Sequence, residues 1–358
     1  MSVLAAIAVL AVLIVVHELG HFAAARWQGI RVNRFSIGFG PAIAKYQGQE
    51  TEYAIRAFPL GGYVGFPDDD PESEIPPDDP DLLRNRPLFD RAIVISAGVI
   101  ANLIFAYFLM VGQAATVGIP DVGPGVLIPE VVAGSTSAAV TAGIEPGDKI
   151  LAVSGRSLSG GNAMSSLRDT IQASPAIPLE LTVQRQGETI SLTVTPDRDS
   201  EGKGKLGVKL APNVIQERAP NLLAALTLGA NAYQNLVSLT VQGFWQLISH
   251  FQENARQVAG PVKIVEYGAA IARHDAGNLF QFAALISINL AIINILPLPA
   301  LDGGQLAFLA IEGLQGKPLP RKVQDGIMQT GLFLILGFGV FLIVRDTANL
   351  AVIQELFQ

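Results

Sequence analysis

The chain contains no cysteine, which removes disulfides, a thiolate nucleophile and sulfur metal ligands together. Charge is scarce as well, at 15% of 358 residues, and a net charge of -7 offers no basic surface for nucleic acid. Histidine occurs only four times, so a metal site has few nitrogen donors to draw on beside Asp and Glu. The first apolar run has no basic segment ahead of it and no clear cleavage site before His17 and Glu18, so a retained helix is expected there rather than a secretory signal.

What is abundant is apolar sequence: half the residues are hydrophobic and the mean hydropathy is +0.40, too high for an ordinary soluble domain. A bilayer-spanning helix needs about 20 mostly apolar residues, and residues 1–25, 92–117, 279–296 and 327–345 qualify, giving four expected transmembrane helices. Arg26, Arg31 and Arg34 follow the first, and Arg84, Arg86 and Arg91 precede the second. The positive-inside rule therefore puts residues 26–91 in the cytoplasm and the N-terminus outside. Within that segment, alternating residues between Gly38-Phe39-Gly40-Pro41 and Phe58–Val64 predict a membrane-associated β-hairpin or small sheet. The acidic, proline-rich run from Pro67 to Pro80 reads as a flexible loop.

Residues 118–212 change character, with frequent turns and short β-type runs such as Leu179–Gln184 and Thr189–Val194, and predict an inserted α+β domain on the outer side. Its segment Ser137–Gly155 resembles a bacterial PDZ domain, which implies a helix, a glycine turn and a strand, with either a peptide bound at an open sheet edge or a steric guard. Residues 213–278 are expected to be amphipathic. Thr227, Asn231, Asn235, Ser238, Gln242, Gln246 and Ser249 draw one polar stripe, which suits a helix lying on the membrane surface or packing that stripe on protein better than a fifth span. Topology agrees, because a fifth crossing would carry Asp302 to the face opposite His17 and His21. Residues 304–326 then read as cytoplasmic, and 346–358 as a C-terminal tail.

The strongest chemical signal is His17-Glu18-Leu19-Gly20-His21. Four-residue spacing puts both imidazoles on one helix face, where they can hold Zn²⁺ while Glu18 serves as general base. Ionisable groups inside an apolar helix are costly and usually functional. A catalytic zinc site generally has three protein ligands and an open position. His250 and His274 read as ordinary interfacial residues. Asp302, in Asn294-Ile-Leu-Pro-Leu-Pro-Ala-Leu-Asp-Gly-Gly304, follows prolines that interrupt the helix, so its carboxylate is either aimed into the bundle or solvated in a helix-ending loop, and spacing does not choose between these.

Together, His17-Glu-Leu-Gly-His21 and Asn-x-x-Pro-x-Pro-x-Leu-Asp-Gly resemble the site-2 protease family of intramembrane zinc metalloproteases. One PDZ insertion resembles its bacterial regulator of sigma-E protease branch. Gly38-Phe-Gly-Pro41, Leu60-Gly-Gly-Tyr-Val64 and Gly260-Pro-Val262 extend the resemblance over nearly the whole chain. It implies that Asp302 is the third zinc ligand and that cleavage occurs within or next to transmembrane segments. It also implies capture of unwound substrate backbone at Gly61, Gly62 and Tyr63. The family's Gly-x-x-x-Asn appears as Gly98–Asn102, without the proline that many relatives carry after the glycine. Asn102 and Asn294 are candidates for substrate or transition-state support, or for interhelical hydrogen bonds. Implied partners are the lipid bilayer and transmembrane or signal-peptide substrates, in a bacterial plasma membrane or a thylakoid or plastid membrane. The competing reading is a non-enzymatic PDZ-bearing scaffold with a structural metal site, which would have no need of Glu18 as a base.

Overall fold

The computed structural model describes residues 2–70, 73–132, 137–254, 258–274 and 276–348. Contact density divides the chain into a first unit, residues 1–117 with 219–358, and a second, Gly118–Arg218.

The first unit contains α1 (Ser2–Trp27), β1 (Arg34–Gln47), β2 (Glu52–Gly65) and α2 (Leu88–Thr116). After the insertion come α5 (Leu222–Ser249), α6 (Phe251–Asn254), α7 (Pro261–His274), α8 (Leu279–Ile295), α9 (Asp302–Gln315) and α10 (Arg321–Ala348). Among the described residues α1, α2 and α10 are long and apolar enough to cross a membrane. At 1.5 Å per residue they extend about 39–44 Å, more than the roughly 30 Å of hydrocarbon to be crossed. They carry exposed Leu4, Ile104, Phe108, Phe333 and Phe341, apolar surface of the kind that lipid covers. α8 is apolar but has 17 residues, about 25 Å, so the crossing expected at 279–296 is not secured by length.

The sheet next to α1 has more rows than strands, because β1 and β2 both bend. Ala42↔Arg56 through Gln47↔Glu52 pair in opposed directions, Arg34↔Glu52 through Ile37↔Ile55 in the same direction, and Arg34↔Gly65 through Ile37↔Gly62 in opposed directions again. The row order is therefore 42–47, 52–56, 34–37, 62–65, and row 62–65 lies at an edge. Gly38 and Gly40 have φ of 86° and 85°, and Gly61 has 109°, backbone that glycine adopts without strain.

Residues 71 and 72 of the acidic run lie outside the described residues, and the rest of it departs from the flexible loop expected. Asp68 pairs with Arg84 at 3.1 Å, Asp70 with Arg34 at 3.0 Å, Asp79 with Arg31 at 3.2 Å and Asp81 with Arg86 at 3.0 Å. The physical reason is local neutralisation: the run repels itself only if the flanking arginines are ignored, and here they bind it as a strap from the end of α1 to the start of α2. Of the two arrangements expected for α5, packing of the polar stripe on protein is not what is found, since the stripe is exposed. Ala225, Gly229, Leu236 and Thr240 form its buried side. A Cβ on Gly229 would lie 2.7 Å from Val111 Cγ2, so small residues let α5 press against α2, where Tyr233 meets Tyr107 edge to face.

The second unit comprises β3 (Ile119–Val131), α3 (Ala138–Thr141), β4 (Lys149–Val153), β5 (Arg156–Ser157), α4 (Ala163–Gln172), β6 (Leu179–Arg185) and β7 (Glu188–Val194), then β8 (Asp197–Arg198), β9 (Gly204–Lys205) and β10 (Val208–Glu217). The main sheet runs β10-β3-β4-β6-β7, with β5 beside β4, and β8 and β9 form a separate pair. Period-2 alternation along β6 sends Leu179, Leu181 and Val183 inward. There they join Val126, Ile128, Ile150 and Leu167 in one buried core. Buried Asp148 is held by a fork from Arg185, with both bonds at 2.8 Å, and by the Glu145 N–H at 2.9 Å. The unit closes at β10, whose end at Glu217 lies past the boundary expected at 212.

Candidate metal centre

Helical geometry sets the first half of the site: His17 and His21, one turn apart, place their rings 4.8 Å apart at 88° with their Nε2 atoms 3.2 Å from one another. Chain reversal after α8 supplies the second half. Pro297 and Pro299 interrupt the helix, Ala300 takes a φ of 68°, and α9 restarts with Asp302 as its first residue. A Cβ on Gly303 would collide with the carbonyl oxygens of Ile295 and Leu296, so only glycine fits that elbow. Asp302 Oδ2 thereby comes 3.2 Å from His17 Nε2 and 3.4 Å from His21 Nε2.

Those three separations fit a metal. Ligands about 2.0–2.1 Å from a tetrahedral Zn²⁺ are about 3.3–3.4 Å from each other, close to the triangle formed here. Asp302 Oδ2 is moreover a buried oxygen without a hydrogen-bond partner, costly unless a cation or donor faces it. His21 Nδ1 donates to the Val94 carbonyl at 2.8 Å, an arrangement that leaves Nε2 with its lone pair. Among the described residues, His17, His21 and Asp302 are the group able to hold a metal ion.

Three glycines admit the surrounding elements. A Cβ on Gly98 of α2 would come within 3 Å of both imidazoles, and one on Gly20 would lie 2.5 Å from the Ala97 carbonyl oxygen. α2 therefore rests directly on the histidine face of α1. Gly62, on the edge row of the sheet, lies over Glu18: its added Cβ would be 2.9 Å from Glu18 Cγ. The Val64 backbone N–H donates to the Glu18 carboxylate.

A cavity of about 600 Å³ joins these parts, lined by His17, Glu18, His21, Gly61, Gly62, Tyr63, Asn294 and Asp302 among others. Asn294 Nδ2 is 3.4 Å from His17 Nε2. Tyr63 is held by Arg56, whose guanidinium donates to its hydroxyl at 3.0 Å. Asn102 stands apart from this lining, fully buried behind His17. His250 is exposed at the end of α5, and the side chain of His274 lies outside the described residues. Sequence reasoning missed Ser287, whose hydroxyl donates to the Asn102 carbonyl at 2.8 Å with both residues fully buried. A serine in the mostly apolar α8 was the available signal.

The profile of Peptidase family M50 matches residues 5–338. A protein of Synechocystis sp. named as a zinc metalloprotease is 66% identical over 99% of this chain and 97% of its own. A chloroplastic membrane metalloprotease of Arabidopsis thaliana is 49% identical over 99% of this chain and 80% of its own. An Agrobacterium fabrum protein, also named as a zinc metalloprotease, is 32% identical over 96% and 95%. A solved PDZ domain from Listeria innocua covers 24% of this chain and 92% of its own at 19% identity and a TM-score of 0.21, too distant a likeness to bear on the fold. With its paired histidines and aspartate inside a match that spans nearly its whole length, the chain belongs to Peptidase family M50.

Proposed function

We propose that the protein is an intramembrane zinc endopeptidase that hydrolyses peptide bonds within or next to transmembrane segments. One observation carries this reading: three ligand atoms at metal-ligand spacing converge with Glu18 on a single cavity, set among helices whose surfaces suit lipid. His17, His21 and Asp302 are the proposed ligands, and when bound the zinc supplies a Lewis acid that polarises the scissile carbonyl and acidifies water. Glu18 takes the proton of the attacking water and returns it to the leaving amine. Asn294, on the cavity side of His17, can donate to the carbonyl oxygen as charge develops there. Row 62–65 offers an edge along which an unwound substrate strand can pair, bringing its carbonyl beside Glu18.

The second unit fits a PDZ-like guard or recruiter for clients such as membrane-bound regulators or leftover signal peptides. Four crossings, with α8 as the third, remain the arrangement that puts Asp302 and the histidines at one depth. Relatives of cyanobacterial and chloroplastic origin favour a bacterial plasma membrane or a thylakoid membrane. The scaffold reading is disfavoured by the placement of Glu18, because a structural metal has no use for a carboxylate base in an open cavity. The deciding experiment is Glu18→Gln: zinc content should equal that of the unaltered protein while cleavage of a model transmembrane substrate is lost. Full cleavage by that variant would end the proposal.

A further inference from the structure

Asn102 and Asn294, equivalent in a sequence reading, face opposite ends of one imidazole. Asn294 approaches His17 Nε2 at 3.4 Å from within the cavity. The Asn102 carboxamide lies 3.2 Å from His17 Nδ1 on the far side, and the residue is 0% exposed. Substrate cannot reach it there. We propose that Asn102 is a positioning residue whose side-chain oxygen accepts the Nδ1 proton of His17, fixing the ring with a bare Nε2 aimed at the metal. This rests on the reading of His17 as a zinc ligand.

A neutral imidazole has one N–H and one lone pair. If Nε2 spends its lone pair on a metal, the proton sits on Nδ1 and needs an acceptor, as ligating histidines usually have. His21 already displays the arrangement, since its Nδ1 meets a backbone carbonyl, which can only accept. For His17 the corresponding group is the Asn102 carboxamide, whose oxygen and nitrogen are assigned from the network around them. With its nitrogen toward Nδ1, the His17 proton would be forced onto Nε2, facing His21 Nε2 at 3.2 Å, and Asn102 Oδ1 stays buried without a partner. A half-turn of the amide leaves one atom unpartnered in either case, so the metal decides, and it requires oxygen toward Nδ1.

The backbone around Asn102 is built for this task. Its carbonyl is tied to α8 by the Ser287 hydroxyl. Gly98, one turn earlier on the same face of α2, vacates the volume into which the rings project. Gly-x-x-x-Asn thus acquires a physical meaning: a gap for two imidazoles and, four residues on, an acceptor for one of them.

The test measures zinc affinity of the full-length protein in detergent by competition with a chelator. Asn102→Leu, which removes the acceptor, should bind zinc about ten to a hundred times more weakly. Asn102→Asp should stay within about threefold of the unaltered protein, because a carboxylate accepts the same proton. Asn102→Leu binding as tightly as the unaltered protein, or Asn102→Asp binding as weakly as Asn102→Leu, would overturn the proposal. Should either variant misfold, ¹⁵N-histidine NMR of the unaltered protein decides: both zinc-shifted rings must carry a proton on Nδ1, and only one would if nitrogen faced His17. If the unaltered protein binds no zinc, the ligand reading fails and this inference with it. If the unaltered protein and Asn102→Leu bind zinc equally, this inference fails alone.

Discussion

Gly98→Ala is the sharpest perturbation the site offers, since it adds one methyl group. The new carbon would lie 2.7 Å from His17 Cε1 and 2.8 Å from His21 Cε1, whereas carbons rest at about 3.5–4.0 Å. The shortfall is therefore about 0.7 Å or more at two rings at once. Ligand distances tolerate only about 0.2 Å, so the imidazoles cannot yield and still hold the proposed metal. If α2 retreats instead, overpacking costs about 1–3 kcal/mol and the contacts of Val94 with His21 and Asn102 with His17 lengthen. Either route should weaken zinc binding by about ten to a hundredfold, or about 1.4–2.8 kcal/mol. Gly243→Ala makes the matching control, because nothing lies within 4 Å of a Cβ there. Alanine should be neutral in that helix or stabilise it by up to about 1 kcal/mol. Zinc affinity by chelator competition and the thermal midpoint of each variant give the answer. A Gly98→Ala protein with unaltered zinc affinity and midpoint would refute the packing argument.

Asp302→Ala and His21→Ala should lose zinc and activity together, as measured by metal content after dialysis, while a zinc-replete Asp302→Ala protein would mean that another group completes the site. In the second unit, burial raises the Asp148 carboxyl, but the Arg185 fork and the Glu145 N–H outweigh it and hold its pKa below the usual range. Asp148 therefore stabilises the fold above about pH 4, its ordinary unfolded value, and this contribution fades as pH falls through the lower folded value. Asp148→Asn should destabilise the second unit by about 3 kcal/mol at neutral pH and flatten that acid dependence, with hydrogen exchange of β4 and β6 as the readout; an unchanged exchange pattern would contradict this. Excising residues 118–218 is geometrically mild for the first unit, because the Ala219 N–H bonds the Ala114 carbonyl at 2.9 Å. If the insertion excludes bulky clients, the excised protein should cleave short substrates normally and long ones newly, and identical size dependence with and without it would reject the guard role.

The part of this molecule most legible in its sequence is the part governed by local spacing. His17 and His21 share a face because helices repeat every 3.6 residues, and Leu179, Leu181 and Val183 point inward because strands repeat every two. Most of the apolar runs at 1–25 and 92–117 lies in two helices, α1 and α2, long enough to cross a membrane. What resisted reading depends on partners distant in sequence. The acidic run read as a flexible loop because two of its partners, Arg31 and Arg34, lie far from it along the chain. The stripe on α5 left membrane-surface placement and protein packing both open, whereas the protein contact is carried by Gly229 and Ala225, and small side chains leave little mark in hydropathy. Asn102 and Asn294 are indistinguishable as residue types, and only the opposite sides from which they meet His17 separate them. Asp302 was the intermediate case: spacing left it open, family resemblance pointed to it, and the elbow at Ala300 and Gly303 explains how a break in the helix can aim it.

The placement of the insertion bears on how the protein is made. His17, His21, Gly98 and Asn102 all emerge within the first 102 residues, so the paired helices α1 and α2 can dock as soon as both have left the ribosome. The second unit, contiguous in sequence and carrying its own core, follows next and folds as a block, as domains do during synthesis. Asp302 arrives only after that block. For the whole interval a nascent chain holds two imidazoles without the carboxylate proposed to join them at a metal. On the proposed ligand assignment, the order of segments along the gene keeps a membrane-embedded hydrolase switched off until the elbow between α8 and α9 has been synthesised and closed.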